Sequence, residues 1–385
     1  MIVVIADDLT GAAELGGLGL RYGLSVEIVT IVNPDTAVDL LIIAMDTRSM
    51  PEAEALAAMS RLTCVIKHLQ PTLLYKKVDS VLRGHVIAEL NIHLQQLGLK
   101  RVILVPANPA FGRTISGGKY YINGKPIHLT SFANDPEFAI SSSEVNDMLR
   151  SKDDEVYYQA PDEELQETGI ILGECGCEDD LLLWAANADS QTLMAGGSGL
   201  FKAMLTWLKL KPANQPLIKP DELGWPALFV CGSTFNKSKQ LVEKANKNDG
   251  SVSYMPQAIV SMTEPPEELF ELWADEVCAL LLNHNKAIIA VDERTTAGIE
   301  IIPGALREKN AKVVEKIIEK VALKELFVEG GATGAAIIKR LGINKFIPVN
   351  EFSTGVIRMK TGEQKTLFLT LKPGSYDWPS YIWHF

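Results

Sequence analysis

Two adjacent aspartates, Asp7 and Asp8, end the apolar run IVVIA and open the segment LTGAAELGGLGL. Side-by-side carboxylates repel one another and lose hydration there, so the pair costs stability unless something uses it. Helix capping explains one of them, and a carboxylate poised to accept a proton explains a second. The same mixture of charge recurs downstream. Asp46 and Arg48 follow LLIIA, the stretch YKKVDSVLRG carries Lys76, Lys77, Asp79, Ser80 and Arg83, and Asn108 and Arg113 follow RVILV. Carboxylates in such a set take a proton from a hydroxyl, while guanidinium groups grip a carboxylate or phosphate with paired N–H donors. The second half of the chain offers different chemistry. CGSTFN and EGGATG are small turns rich in glycine and hydroxyls, with LKPGS and the GGSG at Gly196 to Gly199 as weaker instances. Turns of this kind bring backbone N–H groups and a helix N-terminus against a phosphate. Neither is GxxxxGK[ST] or GxGxxG.

The elements that position these residues alternate. IVVIADD precedes LTGAAELGGLGLRYG, LLIIAMDTRS precedes PEAEALAAMSRL, and LLYKKVDSVLRG precedes HVIAELNIHLQQLG; RVILV, GIILGEC and TLMAGG continue the pattern. This order predicts an α/β protein of two domains, each a mostly parallel sheet flanked by helices, with a central cleft. Ligands in such sheets gather beyond the carboxyl ends of the strands, where the charged and glycine-rich residues fall. The polar stretch from Gly112 to Phe138 contains Asn-Gly between alternating residues, which predicts a hairpin inside a long binding loop. LKLKPANQPLIKPDELG is proline-rich and aperiodic, so residues 209–224 are expected to link an N-terminal domain (1–208) to a C-terminal one (225–385).

The formal net charge of −11 over 385 residues disfavours nucleic acid and anionic membranes as partners. The apolar runs are too short to span a bilayer, and Met1 leads into a strand without a basic leader, so a cytoplasmic protein with reduced thiols is expected. Oligomeric state leaves no motif; a homodimer is the candidate. The histidines are dispersed, His68, His85 and His93 reading as surface or satisfied helix residues, and Cys175 and Cys177 lack the partners of a zinc set, so no residue is assigned to a metal.

IADDLTGAAE, YKKVDSVLRG, PANPAFGRTISGG with the later FANDP, VCGST and EGGATGAA occur in the order found in the four-carbon acid sugar kinase family, which the chain resembles over essentially its whole length. The resemblance implies a sugar-acid domain followed by a nucleotide domain. It also implies ATP-dependent phosphorylation of threonate, erythronate or 3-oxo-tetronate at the terminal hydroxyl. By position it implies that Asp8, Lys76, Asp79, Ser80 and Arg83 line the acid-sugar pocket, and that Ser233, Gly330, Gly331, Ala332, Thr333 and Gly374 contact the nucleotide. Asp8 or Asp7 would accept the hydroxyl proton, Arg83 with Lys76 or Lys77 would hold the carboxylate, and Arg113 would neutralise charge on the transferred group. ATP would arrive with Mg²⁺ bridging its phosphates. The chain departs from the family at Val81, where a threonine is usual, and at Ala332, where a glutamate is usual. A non-catalytic sensor of sugar acid and nucleotide, and a phosphatase with an aspartyl nucleophile, are the rival expectations; the latter wants Asp-x-Asp, and here the aspartates are adjacent.

Overall fold

A computed structural model of the chain describes residues 1–134, 138–151, 156–213, 223–232, 236–296, 298–299, 302–362, 367–374, 376–383 and 385. It divides into two compact units, Met1–Asn214 and Gln215–Phe385. Residues 214–222, inside the expected linker, lie outside the described residues.

The first unit begins with β1 (Ile2–Ala6), α1 (Leu9–Arg21), β2 (Val26–Val29), β3 (Leu40–Ala44), α2 (Glu52–Leu69), β4 (Leu73–Lys77), α3 (Val86–Leu97) and β5 (Arg101–Val105). A small antiparallel sheet follows, made of β6 (Arg113–Ser116), β7 (Lys119–Ile122) and β8 (Lys125–Pro126). Its second turn is the Asn-Gly pair: Asn123 and Gly124 both adopt positive φ, 50° and 74°, as a tight hairpin requires. The unit ends with α4 (Val145–Leu149), β9 (Val156–Gln159), β10 (Gly169–Gly173), α5 (Glu178–Ala186), β11 (Thr192–Gly196) and α6 (Ser198–Trp207). Its main sheet has the order β2-β3-β1-β4-β11-β5-β10-β9 and is parallel throughout.

Strands β1, β3 and β5 and all of β11 are buried because helices cover both faces. On one face Met59, Leu62 and Ile66 of α2 pack on Val3, Ile5, Leu41 and Ile43. On the other, α1 packs against α6. The central strand β1 lies between β3 and β4 with Ala6 opposite Ala44 and Lys77. The residues just after these three strands therefore emerge side by side, where the strand order reverses direction.

The second unit contains β12 (Ala227–Cys231), α7 (Asn236–Asn248), β13 (Val252–Tyr254), α8 (Gln257–Ser261), α9 (Glu267–His284), β14 (Lys286–Ala290) and α10 (Glu293–Thr296). It continues with α11 (Pro303–Lys320), β15 (Glu325–Glu329), α12 (Gly331–Arg340), β16 (Lys345–Ser353), β17 (Val356–Thr361) and β18 (Phe368–Lys372). Within the unit the order is β13-β14-β12-β15-β18-β17-β16; the first five strands are parallel, and β17 and β16 are antiparallel to their neighbours. Phe229 and Phe327 stack with ring centres 4.4 Å apart. Trp378, Trp383 and Phe385 pack edge-on against Phe229 at 6.0, 5.5 and 5.1 Å. Rings in this geometry add to the area they bury, which seats the end of the chain on the sheet. Among the described residues, no helix is long and apolar enough to cross a membrane.

Candidate active site

The turn after β1 answers why two aspartates stand together: each has its own task. Asp8 is the N-cap of α1, its Oδ1 accepting the Gly11 N–H at 2.9 Å, and its Oδ2 accepts the Thr10 hydroxyl. Asp7 accepts the Arg48 Nε–H through Oδ2 at 2.9 Å, while its Oδ1 is buried without a partner among the described residues. Arg48, from the segment after β3, joins the group: besides Asp7, its Nη2 lies 3.1 Å from Asp8 and 3.4 Å from Asp79. Asp79, just past β4, in turn holds Arg83 with two parallel bonds, Nε to Oδ2 at 2.8 Å and Nη2 to Oδ1 at 2.9 Å. It also accepts the Val81 and Arg83 backbone N–H groups at 3.2 Å each.

Charge in this group is sorted by environment. Burial raises the Asp7 carboxyl above its ordinary value, more than Arg48 lowers it. Burial acts on Asp8 as well, but Arg48, Lys77 and the Thr10 hydroxyl together hold it below its ordinary value. At Asp79 burial is outweighed by Arg48 and Arg83, and the carboxyl sits well below the usual range. Asp8 is thus a fixed, ionised acceptor, and Asp7 is the anchor for Arg48.

Lys76 does not join them. Its side chain is fully buried and its ammonium lies 2.6 Å from Glu89 of α3. The expectation that it lines the substrate pocket is corrected by strand alternation: adjacent residues of β4 face opposite sides of the sheet, and Lys76 takes the side covered by α3. Lys77 takes the other side and donates to the Val78 carbonyl at 2.8 Å. A Cβ added at Gly11 would meet Asp8 Oδ1 at 2.6 Å and Lys77 Nζ at 3.1 Å, so Lys77 and Asp8 both lean on the space this glycine leaves. Gly11→Ala is expected to displace both and lower kcat/KM about tenfold, since misplacement by 1 Å can cost about 10²-fold. Steady-state kinetics beside a circular dichroism spectrum checks this; unchanged kinetics would separate that space from the chemistry.

Near Lys76, His93 is buried rather than on the surface, its Nδ1 3.0 Å from the Thr63 hydroxyl. Burial, with the Lys76 ammonium nearby, pushes its imidazole down to about 3, so the ring is neutral.

Ser80 and Arg113 meet: an Arg113 Nη1–H donates to the Ser80 hydroxyl, and the Ser80 carbonyl accepts the Tyr120 hydroxyl at 2.5 Å. Asn108 bridges to Arg113 through the backbone in both directions and donates its amide to Ser198 at 3.1 Å. Arg48 lies beside Asp46 in the sequence, where nothing local gives it a role. Its place just after β3 is the signal, and among the described residues it is the one cation that touches all three carboxylates.

In the second unit Gly330 to Thr333 form the start of α12, directly after β15, and Gly374 follows the neighbouring strand β18. Gly330 adopts φ 99°, a conformation open to glycine and strained for other residues. Its N-cap residue, Gly330, has no side chain, and among the described residues no side-chain cap bond is found, which leaves the N–H groups of its first turn for an anion, in contrast to α1 with its Asp8 cap. Gly232, after β12, packs against the same turn, since a Cβ there would fall 2.3 Å from Thr333 Oγ1. Ser233 lies outside the described residues.

Behind the turn Glu329 is buried and accepts from Ser238 and from Trp378 Nε1, the latter at 3.2 Å; Lys372 stands 3.4 Å away. Ala332 brings no carboxylate, and among the described residues no group of three or more His, Cys, Asp or Glu could hold a metal ion.

Two family models match the chain. The family described as "Sugar-binding N-terminal domain" matches residues 2–204, and "Nucleotide-binding C-terminal domain" matches residues 228–376. The chain is 26% identical to a D-threonate kinase of Salmonella typhimurium, over 89% of this chain and 86% of that one. It is 25% identical to a 3-oxo-tetronate kinase of Brucella melitensis, covering 98% and 93%. It is 24% identical to a D-erythronate kinase of Heliobacterium modesticaldum, covering 79% and 71%. Among solved structures, a Salmonella typhimurium protein superposes with a TM-score of 0.78 at 18% identity, covering 99% of this chain and 97% of the other. A Haemophilus influenzae protein gives 0.72 at 19%, covering 99% and 98%; these two likenesses speak to the fold.

Proposed function

This chain belongs to the four-carbon acid sugar kinase family, and from that premise we propose that it transfers the γ-phosphoryl group of ATP to the terminal hydroxyl of a four-carbon sugar acid. The observation that carries the reading is the cluster at the carboxyl ends of β1, β3 and β4, where one fixed carboxylate, Asp8, stands with Arg48 and Lys77, and Asp79 holds Arg83.

Phosphoryl transfer passes through a loose transition state, so the protein contributes chiefly position and charge. Asp8 suits the first part. Its rotamer is fixed by the Gly11 N–H and the Thr10 hydroxyl, and it accepts the proton of the attacking hydroxyl as the bond to phosphorus forms. A low basicity is no obstacle there, because the hydroxyl sheds its proton late and orientation dominates. Arg48 keeps the three carboxylates from repelling one another and is itself held by Asp7. The uncapped first turn of α12, with Gly330, Gly331, Ala332 and Thr333, together with Gly374 and Ser233, would receive the phosphates of ATP. Mg²⁺ bound to those phosphates would screen their charge.

The reading is tested by ADP release in the presence of Mg²⁺ and ATP, screened over D- and L-threonate, D- and L-erythronate and their oxo forms. Turnover confined to one or two of these acids, with phosphate on the terminal oxygen by NMR, is the expected result. Stoichiometric binding of acid and nucleotide without ADP release would favour the sensor, which the missing carboxylate at Ala332 alone supports. Phosphate release from the phosphorylated acid without nucleotide would favour the phosphatase.

A further inference from the structure

The three glycine turns of the second unit leave neighbouring strands at one level. β12 ends at Cys231, β15 at Glu329 and β18 at Lys372, and these last residues are register partners across the sheet. Register partners in a parallel ladder point to the same face, so a row of thiol, carboxylate and ammonium lies just before the glycines. Two residues earlier on that face the partners are Phe229 and Phe327, which stack on each other. Glu329 and Lys372 are each 1% exposed, so neither is placed to touch a ligand. A buried ion pair is often no more stable than apolar packing, and stability alone is a weak reason for this one.

The partners of the pair show what it holds. Lys372 Nζ donates to the Pro373 carbonyl at 3.0 Å and to the Tyr376 carbonyl at 2.6 Å, one on either side of Gly374, and faces Glu329 at 3.4 Å. An ammonium has three donors, and these partners occupy them. Glu329 directly precedes Gly330. It accepts the Ser238 hydroxyl, from the start of the helix that follows Gly232, and the Trp378 Nε1–H at 3.2 Å. One carboxylate is thus tied to all three turns: to EGGATG through the chain, to CGSTFN through Ser238 in α7, and to LKPGS through Lys372 and Trp378.

We propose that Glu329 is a positioning residue that, together with Lys372, holds the three glycine turns in mutual register and so sets the affinity for ATP without touching it. The inference rests on the reading above that these turns receive the phosphates. Backbone N–H groups bind a phosphate only where several converge on it. Unlike a side chain, a backbone donor has no rotamer with which to correct its aim, so its direction is set by whatever holds the turn. Glycines bring the backbone close but do not hold it, and the carboxylate behind them supplies the hold.

The test uses Glu329→Gln, which keeps the shape and removes the charge, and Ser238→Ala and Trp378→Phe, which each cut one tie. Trp273→Phe is the matched control: it removes a buried indole N–H bond of the same unit, to Ser253 at 2.8 Å, away from the turns. Full-length proteins are compared by steady-state kinetics in ATP and in the preferred acid, and by calorimetry with each ligand alone. In Glu329→Gln the KM and Kd for ATP are expected to rise about tenfold, the size of one hydrogen bond to a charged group, and in the two single-tie variants about threefold. The KM for the acid and kcat at saturating ATP are expected to hold, as when binding common to ground and transition state is lost, and Trp273→Phe is expected to leave ATP affinity unmoved. A folded Glu329→Gln with unchanged ATP affinity overturns the inference. So does Trp273→Phe weakening ATP as much as Trp378→Phe, which would show a merely structural role. If Glu329→Gln does not fold, the single-tie variants decide, and unchanged ATP affinity in both overturns the inference. A wild-type protein that binds ATP but phosphorylates none of the acids, its ATP affinity lowered by Glu329→Gln, would overturn the kinase reading and leave the inference standing. If it bound no ATP, both would fall.

Discussion

Arg48→Ala is expected to lose about 3–5 kcal/mol of stability and to lower turnover by roughly 10²-fold or more. Removing the guanidinium leaves the Asp7, Asp8 and Asp79 carboxylates facing one another in a buried site, which is the costly half of breaking a buried ion pair. Arg48→Lys should recover only part of the loss, because one ammonium cannot span three carboxylates with a planar fork. Urea titration and steady-state kinetics measure the two effects separately.

The pH dependence has a definite sign. Asp8 and Asp79 titrate below their ordinary value in the folded protein, so the stability they add is present above about pH 4, the unfolded value, and is lost as pH falls through their folded values. Without Arg48 both carboxyls move up, so the difference between wild type and variant should be widest near neutrality and should close in acid. Asp7 has the opposite sign. Its folded value is raised by burial, so its cost to stability builds as pH rises from the unfolded value, about 4, to that raised value, and acid relieves the cost. A gap that widened toward low pH would contradict the arrangement described here.

Asp8→Asn is expected to lower kcat by about 10²–10⁴-fold, the usual contribution of a positioned proton acceptor, with the fold retained. Asparagine caps helices as well as aspartate does, so the bond from the Gly11 N–H survives while the charge that receives the hydroxyl proton is gone. Thermal denaturation within a few degrees of wild type, together with lost ADP release, is the expected pair of results. Asp7→Asn should act more mildly, through a loosened Arg48. Near-normal turnover in Asp8→Asn with collapse in Asp7→Asn would exchange their roles.

Much of the frame was readable because parallel strands buried on both faces announce themselves as β-branched runs: IVVIA, LLIIA and RVILV became β1, β3 and β5. The hairpin was readable because Asn123-Gly124 has a conformational reason to be there. Strands β2, β9, β13 and β16 were not foreseen. VEIV and VYYQ are four residues long with partly exposed positions, VSY is three, and KFIPVNEFS contains a proline and alternates exposed with buried residues.

At the site, spacing along the sequence located the strand ends but not the directions of the side chains. Lys76 and Lys77 are equivalent in a motif, and the pleat alone sends one to Glu89 and the other toward Asp8. Arg48 was visible yet unassigned, because its three partners are 41, 40 and 31 positions away and nothing local names them.

The proposed double duty of Asp8, which ends a helix and would accept the proton, has a consequence for descent. In most enzymes, losing the reactive group leaves a hole or a frayed segment that selection also notices. Here a single base change converting Asp8 to asparagine would silence turnover while leaving the scaffold, the arginines and the glycine turns in place. The shortest mutational road from a working catalyst to a ligand-responsive binding protein therefore runs through this position, and relatives bearing asparagine there are where a change of occupation should be sought.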